Sequence, residues 1–366
     1  PRERRPDENR VGLTPAAVEL LTFDGHRCYV EKGAGLGAGF SDEDYTRAGA
    51  RTVYSGEEVY GRGDIVVKVT RPTAEELQWF RSGQAVLAFW HLPSASPDNL
   101  DALVQNRVTA IAYEMIQTDD GALPVLKPIS QIGGSMAANI AAGLLRNDRG
   151  GKGILLGGVP GVPPAEVVIL GAGVVGTYAA QAFLGLGAKV YVLDHSQDRL
   201  AQITERCGRV ITMVSHSFNI RKVVRFADVL VGAVLAPGLR TPVLVSRELV
   251  REMRPRSIIL DVAIDQGGCV ETSRPTTHRS PIFVEENIIH YCVPNMSGVL
   301  GRTATHALNN ATWPYVHLLA SHGTETAIAG CHPLARGVAT HDGKIVSPVL
   351  QKPLEQRETD VMEAVH

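Results

Sequence analysis

Short runs of β-branched and apolar residues alternate along most of the chain with segments of helical periodicity, the pattern of βαβ units and parallel sheets. Near the start, Thr14-Pro15 supplies an N-cap and a first-turn proline for a helix. A strand is expected next, over 26–31. D-I-V-V-K-V predicts a strand over 64–69, then a helix over 73–80 capped by Thr73 with Glu75 and Glu76 in its first turn. A strand over 84–90, a helix over 98–107 and a strand over 108–113 continue the alternation. One sheet of several parallel strands is therefore expected in roughly the first 125 residues.

Residues 130–146 predict a helix rich in small residues, and 150–164, with six glycines and three prolines, a loop that marks the clearest boundary. Beyond it strands are expected at 167–170, 189–193, 210–214, 228–234, 257–261 and 288–293, with helices between most of them. Six strands fit a complete doubly wound dinucleotide fold. From 303 a helix opens the last segment, which closes in a polar tail, 356–366, expected to be poorly ordered.

Composition narrows the class. The chain has 366 residues, enough for two or three domains of about 150, and 44% hydrophobic residues, enough for sizeable cores. Lys plus Arg total 36 against 38 Asp plus Glu, a net charge of −2 without long blocks, so nucleic acid is not an expected partner. Five cysteines, at 28, 207, 269, 292 and 331, have no metal-like spacing and an odd count, which points to a reducing setting and to no metal site. No apolar run approaches the roughly 18 residues of a membrane span, and 1–6 lacks the apolar core of a signal peptide. A cytoplasmic protein without a membrane partner is expected. The oddity is glycine, 37 residues of 366, above the average of roughly 7%.

Part of that glycine carries chemistry. V-V-I-L-G-A-G-V-V-G sets Gly171, Gly173 and Gly176 directly after a strand and ahead of a helix, the context a dinucleotide fingerprint requires. Gly171 permits the tight turn, Gly173 the approach of a pyrophosphate, Gly176 close packing of helix on strand, and the helix N-terminus faces the anion. The bare motif also suits a tightly packed βα turn. Here the next strand ends at Asp194, 18 residues after Gly176, where a carboxylate would accept bonds from an adenosine ribose. Asp194 favours NAD over NADP; Arg199, five residues on, works against that preference.

Ligands of parallel sheets bind beyond the carboxyl ends of the strands. Lys68, His91, Glu114 and Asp265 fall at or just after such ends, and Arg10 lies before the first helix, residues that one cleft would bring together. Each has a plainer reading: Lys68 snorkelling to the surface, His91 satisfied beside the Pro93 turn, Arg10 a solvent-facing cation. Asp265, set among apolar residues in D-V-A-I-D-Q-G-G, is expected to be a buried carboxylate in need of partners. Two cations suit a carboxylate substrate, Arg10 as a fork and Lys68 as a point charge, and His91 could exchange protons near neutral pH. Beside a nicotinamide this set fits hydride transfer at the carbon next to a carboxylate, in a 2-oxo, 2-hydroxy or 2-amino acid.

The same residues carry a resemblance. P-R-E-R-R-P-D-E-N-R-V-G-L-T-P, I-V-V-K-V, G-I-L-L-G-G-V-P-G-V, V-L-D, V-G-A-V-L-A-P-G, D-V-A-I-D-Q-G-G-C-V-E and T-A-T-H-A-L-N-N resemble the alanine dehydrogenase and pyridine nucleotide transhydrogenase family, over nearly the whole chain. The resemblance implies an α/β fold of two domains: a Rossmann domain over 129–302, inserted in a Rossmann-like substrate domain made of 1–128 and completed by 303–366. It implies an NAD-dependent amino-acid dehydrogenase (EC 1.4.1.1) that interconverts L-alanine with pyruvate and ammonium, and a homo-oligomer, usually a hexamer. Carried over by position, Arg10 binds the substrate carboxylate and Lys68 its carbonyl oxygen, His91 and Asp265 serve proton transfer and the activation of water or ammonia, and Ser130, Asp194, Ser215, Val234, Leu235 and Asn295 line the cofactor. It also implies a short strand ahead of Pro1.

Four positions depart from the family pattern: Ser297 and Gly301 stand where prolines are usual, Ser135 where a basic residue is common, and Trp90 replaces a smaller neighbour of the histidine. They leave open a related dehydrogenase with another 2-oxo acid. The sequence is also compatible with the nucleotide-binding subunit of a proton-translocating transhydrogenase and with a catalytically silent NAD-binding protein.

Overall fold

The computed structural model describes residues 1–235 and 240–351. The first part of the chain alternates helices α1 (Pro15–Phe23), α2 (Asp42–Arg47), α3 (Gly56–Arg62), α4 (Ala74–Leu77) and α5 (Pro97–Gln105) with strands β1 (Tyr29–Glu31), β2 (Arg51–Val53), β3 (Ile65–Thr70), β4 (Ala85–Phe89) and β5 (Thr109–Ala112). Helix α6 (Leu126–Leu144) leads to β6 (Glu166–Leu170), α7 (Val174–Gly185), β7 (Lys189–Asp194), α8 (Gln197–Cys207), β8 (Ile211–Val214), α9 (Ser217–Val224), β9 (Val229–Gly232), α10 (Arg247–Arg251), β10 (Ile258–Asp261), β11 (Ile282–Glu285) and β12 (Ile288–Tyr291). The last part holds α11 (Gly301–His322), α12 (Thr324–Gly330), α13 (His332–Arg336), β13 (Val338–His341) and β14 (Lys344–Ile345). The polar tail at 356–366 lies outside the described residues.

Two compact units result, one of residues 1–129 with those from 298 onward, the other of residues 130–297. In the first, five strands pair in the order β14-β13-β5-β4-β3; β3, β4 and β5 are parallel, and β13 joins β5 antiparallel. Side-chain alternation along β4 explains the layers: Leu87 and Phe89 meet Leu308, Val316 and Leu319 of α11, while Val86 and Ala88 pack with Leu77 of α4 and Leu103 of α5. The single sheet expected from the first 125 residues is therefore corrected. The strand over 26–31 shrinks to β1, which pairs with β2 rather than with a strand of the five-stranded sheet. The C-terminal hairpin β13-β14 completes the main sheet instead.

The second unit is a seven-stranded sheet in the order β11-β12-β10-β9-β6-β7-β8. All six expected strands are present and parallel, and β11 adds an antiparallel edge. Strand order reverses at β6, flanked by β7 and β9, which makes the carboxyl end of β6 the topological switch point of a doubly wound fold. Both faces are dry: Val167, Ile169, Val190 and Val192 meet α6, α7 and α8, and Val168, Leu170 and Leu230 meet α9 and α10. Near-continuous apolar strands are what a sheet covered on both faces demands. Helix α6 begins four residues earlier than expected, at Leu126, because Pro128 falls in its first turn, where the missing N–H is no loss.

Candidate nucleotide and substrate sites

The glycine turn sits at the switch point. Gly171 has φ +106°, and a Cβ there would lie 2.5 Å from the Ala233 carbonyl oxygen of the neighbouring connection. A Cβ on Gly176 would run into the Gly171 carbonyl oxygen and press on Ile169 of β6. Gly173, the N-cap of α7, has nothing within 4 Å of that position. Two glycines are thus required by packing, while the third leaves open the approach to the first amides of α7, which fits a dinucleotide pyrophosphate. Asp194, at the end of β7 and 4% exposed, accepts from Ala172 N at 2.7 Å and from Ser196 N at 2.8 Å, so it braces the glycine turn from the side. Each carboxylate oxygen keeps a further lone pair with which to accept from ribose hydroxyls.

The other sequence-selected positions of this unit distribute around the same carboxyl edge. Ser215 follows β8 and donates its N–H to the Asp194 carbonyl at 2.9 Å. Arg199 is exposed in the first turn of α8, whose N-cap Ser196 accepts its N–H. Val234 and Leu235 follow β9, Leu235 being 46% exposed, and Ser130 lies half-buried in α6. Asn295, with φ +55°, donates its N–H to the Asp265 carboxylate at 3.2 and 3.3 Å.

Asp265 itself is exposed, in the 3-10 turn Val262–Gln266 after β10, so the expectation that it is a buried carboxylate is corrected. The buried acid is Asp261, 2% exposed, which accepts from Cys269 N at 3.0 Å and Val270 N at 3.2 Å. Burial pushes its carboxyl above the ordinary value in spite of these bonds. Gly232 and Gly268 make room for it, since a Cβ on either would lie within 2.8 Å of its oxygens. Asp261 thereby ties the Gly267-Gly268-Cys269 turn to the end of β10. Its signal in the sequence is an acid closing the apolar run I-I-L-D, which the second Asp, four residues on, obscures.

In the first unit, the cations are buried. Arg10 is 2% exposed and forks onto Glu8, Nε to Oε1 at 2.7 Å and Nη2 to Oε2 at 2.6 Å. Lys68 is 1% exposed, its Nζ 2.7 Å from Glu76 Oε1 and 3.4 Å from Glu3 Oε2. The solvent-facing readings of both are excluded. Sequence reasoning misses Glu3, Glu8 and Glu76, because an acid in a charged or amphipathic segment looks like surface. His91, half-buried just past β4, takes φ +44°, a conformation that costs a non-glycine residue about 1–3 kcal/mol and clusters at functional sites. Glu114 holds it there, accepting from His91 N at 2.6 Å and Trp90 N at 3.2 Å, while the ring stacks on Phe89. Glu114 is therefore a brace on the His91 backbone. No cluster of three or more His, Cys, Asp or Glu suited to a metal occurs among the described residues.

Models described as the N-terminal and C-terminal domains of alanine dehydrogenase/PNT match residues 1–133 and 137–348. The chain belongs to this family. Its curated relatives in the alanine dehydrogenase/PNT family include alanine dehydrogenases of Methanococcus maripaludis, 46% identical over 96% of this chain and 95% of the relative, and of Mycobacterium tuberculosis, 45% identical over 95% and 94%. Among solved structures, an L-alanine dehydrogenase superposes with a TM-score of 0.92 at 43% identity, covering 97% of this chain and 98% of that one. A transhydrogenase from Sinorhizobium meliloti reaches 0.78 at 25% identity, covering 95% and 98%.

Two of the departures from the family pattern have a structural reason. At Gly301, which opens α11, a Cβ would lie 2.5 Å from the Gly37 carbonyl oxygen and 2.7 Å from that of Asn9, so neither proline nor alanine fits this packing. Trp90 is fully buried, with Nε1 donating to the Val86 carbonyl at 3.3 Å and its ring against Phe80, so its bulk is spent in the core. Ser135 bonds back to the Gln131 carbonyl within α6. Ser297 is buried, 3% exposed.

Proposed function

We propose that the protein is an NAD-dependent L-alanine dehydrogenase, interconverting alanine, NAD⁺ and water with pyruvate, ammonium, NADH and a proton. The observation that carries this reading is identity of 42–46% to alanine dehydrogenases over nearly the whole chain; the glycine turn braced by Asp194 and the buried cations Lys68 and Arg10 agree with it. Gly171, Gly173, Gly176 and Asp194 would hold the pyrophosphate and ribose, with Ser130, Arg199, Ser215, Val234, Leu235 and Asn295 lining the rest. When bound, NAD supplies the acceptor for the hydride on the carbon beside the carboxylate. Arg10, oriented by Glu8, binds the substrate carboxylate, and Lys68 the oxygen of the keto group, whose partial charge it stabilises. His91 and Asp265 move the protons that accompany attack by ammonia or water on that carbon.

The 1–128 and 303–366 segments are assigned to substrate and 129–302 to NAD. A cytoplasmic homo-oligomer, a hexamer by family pattern, is part of the same proposal. In its support, Leu155, Val159, Val162 and Leu186 are 44–65% exposed around one glycine-rich loop, and no helix among the described residues is long and apolar enough to cross a membrane. Purified protein should oxidise NADH given pyruvate plus ammonium without any membrane subunit. NADH binding with no turnover on pyruvate, glyoxylate or 2-oxobutyrate would instead favour a silent NAD-binding protein, and turnover only with a membrane subunit a transhydrogenase component.

A further inference from the structure

Lys68 is more heavily countered than a substrate-binding lysine needs to be. Its ammonium faces two carboxylates, and the three side chains are each at most 1% exposed. The two acids are not equivalent. Glu3 is occupied by the end of β3: Oε1 accepts from Val69 N at 2.7 Å, and Oε2 from the Thr70 N–H and hydroxyl. Glu76 spends Oε2 on its own helix, accepting from Thr73 N at 2.8 Å and Thr73 Oγ1 at 3.1 Å in the capping box of α4. Oε1 takes Lys68 at 2.7 Å, with the Tyr60 hydroxyl at the long distance of 3.5 Å. The cap therefore fixes Glu76, and Glu76 fixes the ammonium.

We propose that Glu76 is a positioning residue for substrate binding: it holds Lys68 as a cation and sets the direction of its remaining N–H toward the substrate oxygen. The inference rests on the proposed contact between Lys68 and the substrate. Its physical basis is the asymmetry of burial. An ammonium withdrawn from water is disfavoured unless an opposite charge lies within a few ångströms, and a cation is what a keto or carboxylate oxygen requires. Burial alone would raise the Glu76 carboxyl, but the Lys68 charge together with the hydrogen bonds from Lys68 and Thr73 takes it below its ordinary value. An ammonium has three donors; Glu76 accepts one, while Glu3, at 3.4 Å, supplies charge without a hydrogen bond, which leaves N–H capacity for a ligand. The other charged or titratable groups facing this cluster are Tyr60 on α3, Tyr113 just after β5, Glu31 on β1, Arg4 and the Pro1 nitrogen.

The test is the pH dependence of pyruvate affinity for the protein–NADH complex, read without ammonium so that neither ligand titrates between pH 6 and 10. In Glu76→Gln, which keeps the side-chain shape, the alkaline loss of pyruvate binding should move down by about 1–3 pH units relative to the unaltered protein, the range by which an adjacent opposite charge shifts an ionisation. NADH affinity should not change. Glu76→Asp, which keeps the charge but shortens the reach, should restore the alkaline limit while pyruvate still binds at least several-fold more weakly. A pH profile in Glu76→Gln that superimposes on the original, with only thermal stability lowered, would overturn the proposal and leave Glu76 a structural partner. Should Glu76→Gln not fold, Glu76→Asp decides: unchanged pyruvate affinity overturns the proposal. Lys68→Ala separates the two levels. Normal pyruvate affinity there refutes the underlying contact, whereas lost affinity there with an unshifted Glu76→Gln profile refutes this inference alone.

Discussion

Lys68 and Asp265 differ in setting, one enclosed between carboxylates and one exposed beside Asn295 N, and each carries a proposed role in turnover. Lys68→Ala and Asp265→Ala should each lower kcat/KM by orders of magnitude and leave NADH binding nearly unchanged, as a fluorescence titration would show; near-normal turnover in either would remove that residue from the mechanism. Gly301 makes a prediction of the opposite kind. Its missing side chain is imposed by the carbonyls of Gly37 and Asn9, so Gly301→Ala should destabilise the fold by about 1–3 kcal/mol, measurable as a lowered urea midpoint. An unchanged midpoint would mean that the two carbonyls yield at little cost.

Among the elements, α4 is tied to β3 by the Glu76–Lys68 pair, and the pair has a pH signature. The Glu76 carboxyl is held below its ordinary 4.5 in the folded state, so its contribution to stability is complete above that value and is lost as pH falls through the folded pKa. Urea unfolding between pH 6 and 3 should show a steeper acid loss for the unaltered protein than for Glu76→Gln; parallel curves would deny the pair its stabilising role. The parallel strands were legible because each is an apolar run bounded by turn residues, and the glycine turn because its strand, helix and acid stand in one short stretch. The two-stranded sheet and the C-terminal hairpin were not. Strands of two or three residues such as β2 and β14 carry too few alternations to register, and β13 finds its partner β5 more than 220 residues away in sequence. The site was half legible for a related reason. Arg10, Lys68 and His91 stand out against apolar or turn surroundings, while Glu3, Glu8 and Glu76 acquire meaning only once the fold buries them.

For the whole molecule, the exposed apolar loop around Leu155 and Val162 is the surface that the proposed oligomer gives a use. Leu155→Asp combined with Val162→Asp should shift the sedimentation profile toward smaller species, and an unaltered profile would place the interface elsewhere. The central claim is hydride transfer from NADH to the carbon that carries the carboxylate and the incoming nitrogen. The most direct measurement is mass analysis of the product formed from pyruvate, ¹⁵N-ammonium and NADH deuterated at both C4 positions. The expected product is L-alanine with deuterium on Cα and ¹⁵N in its amino group; product lacking either label, or none despite NADH binding, would contradict hydride transfer to that carbon.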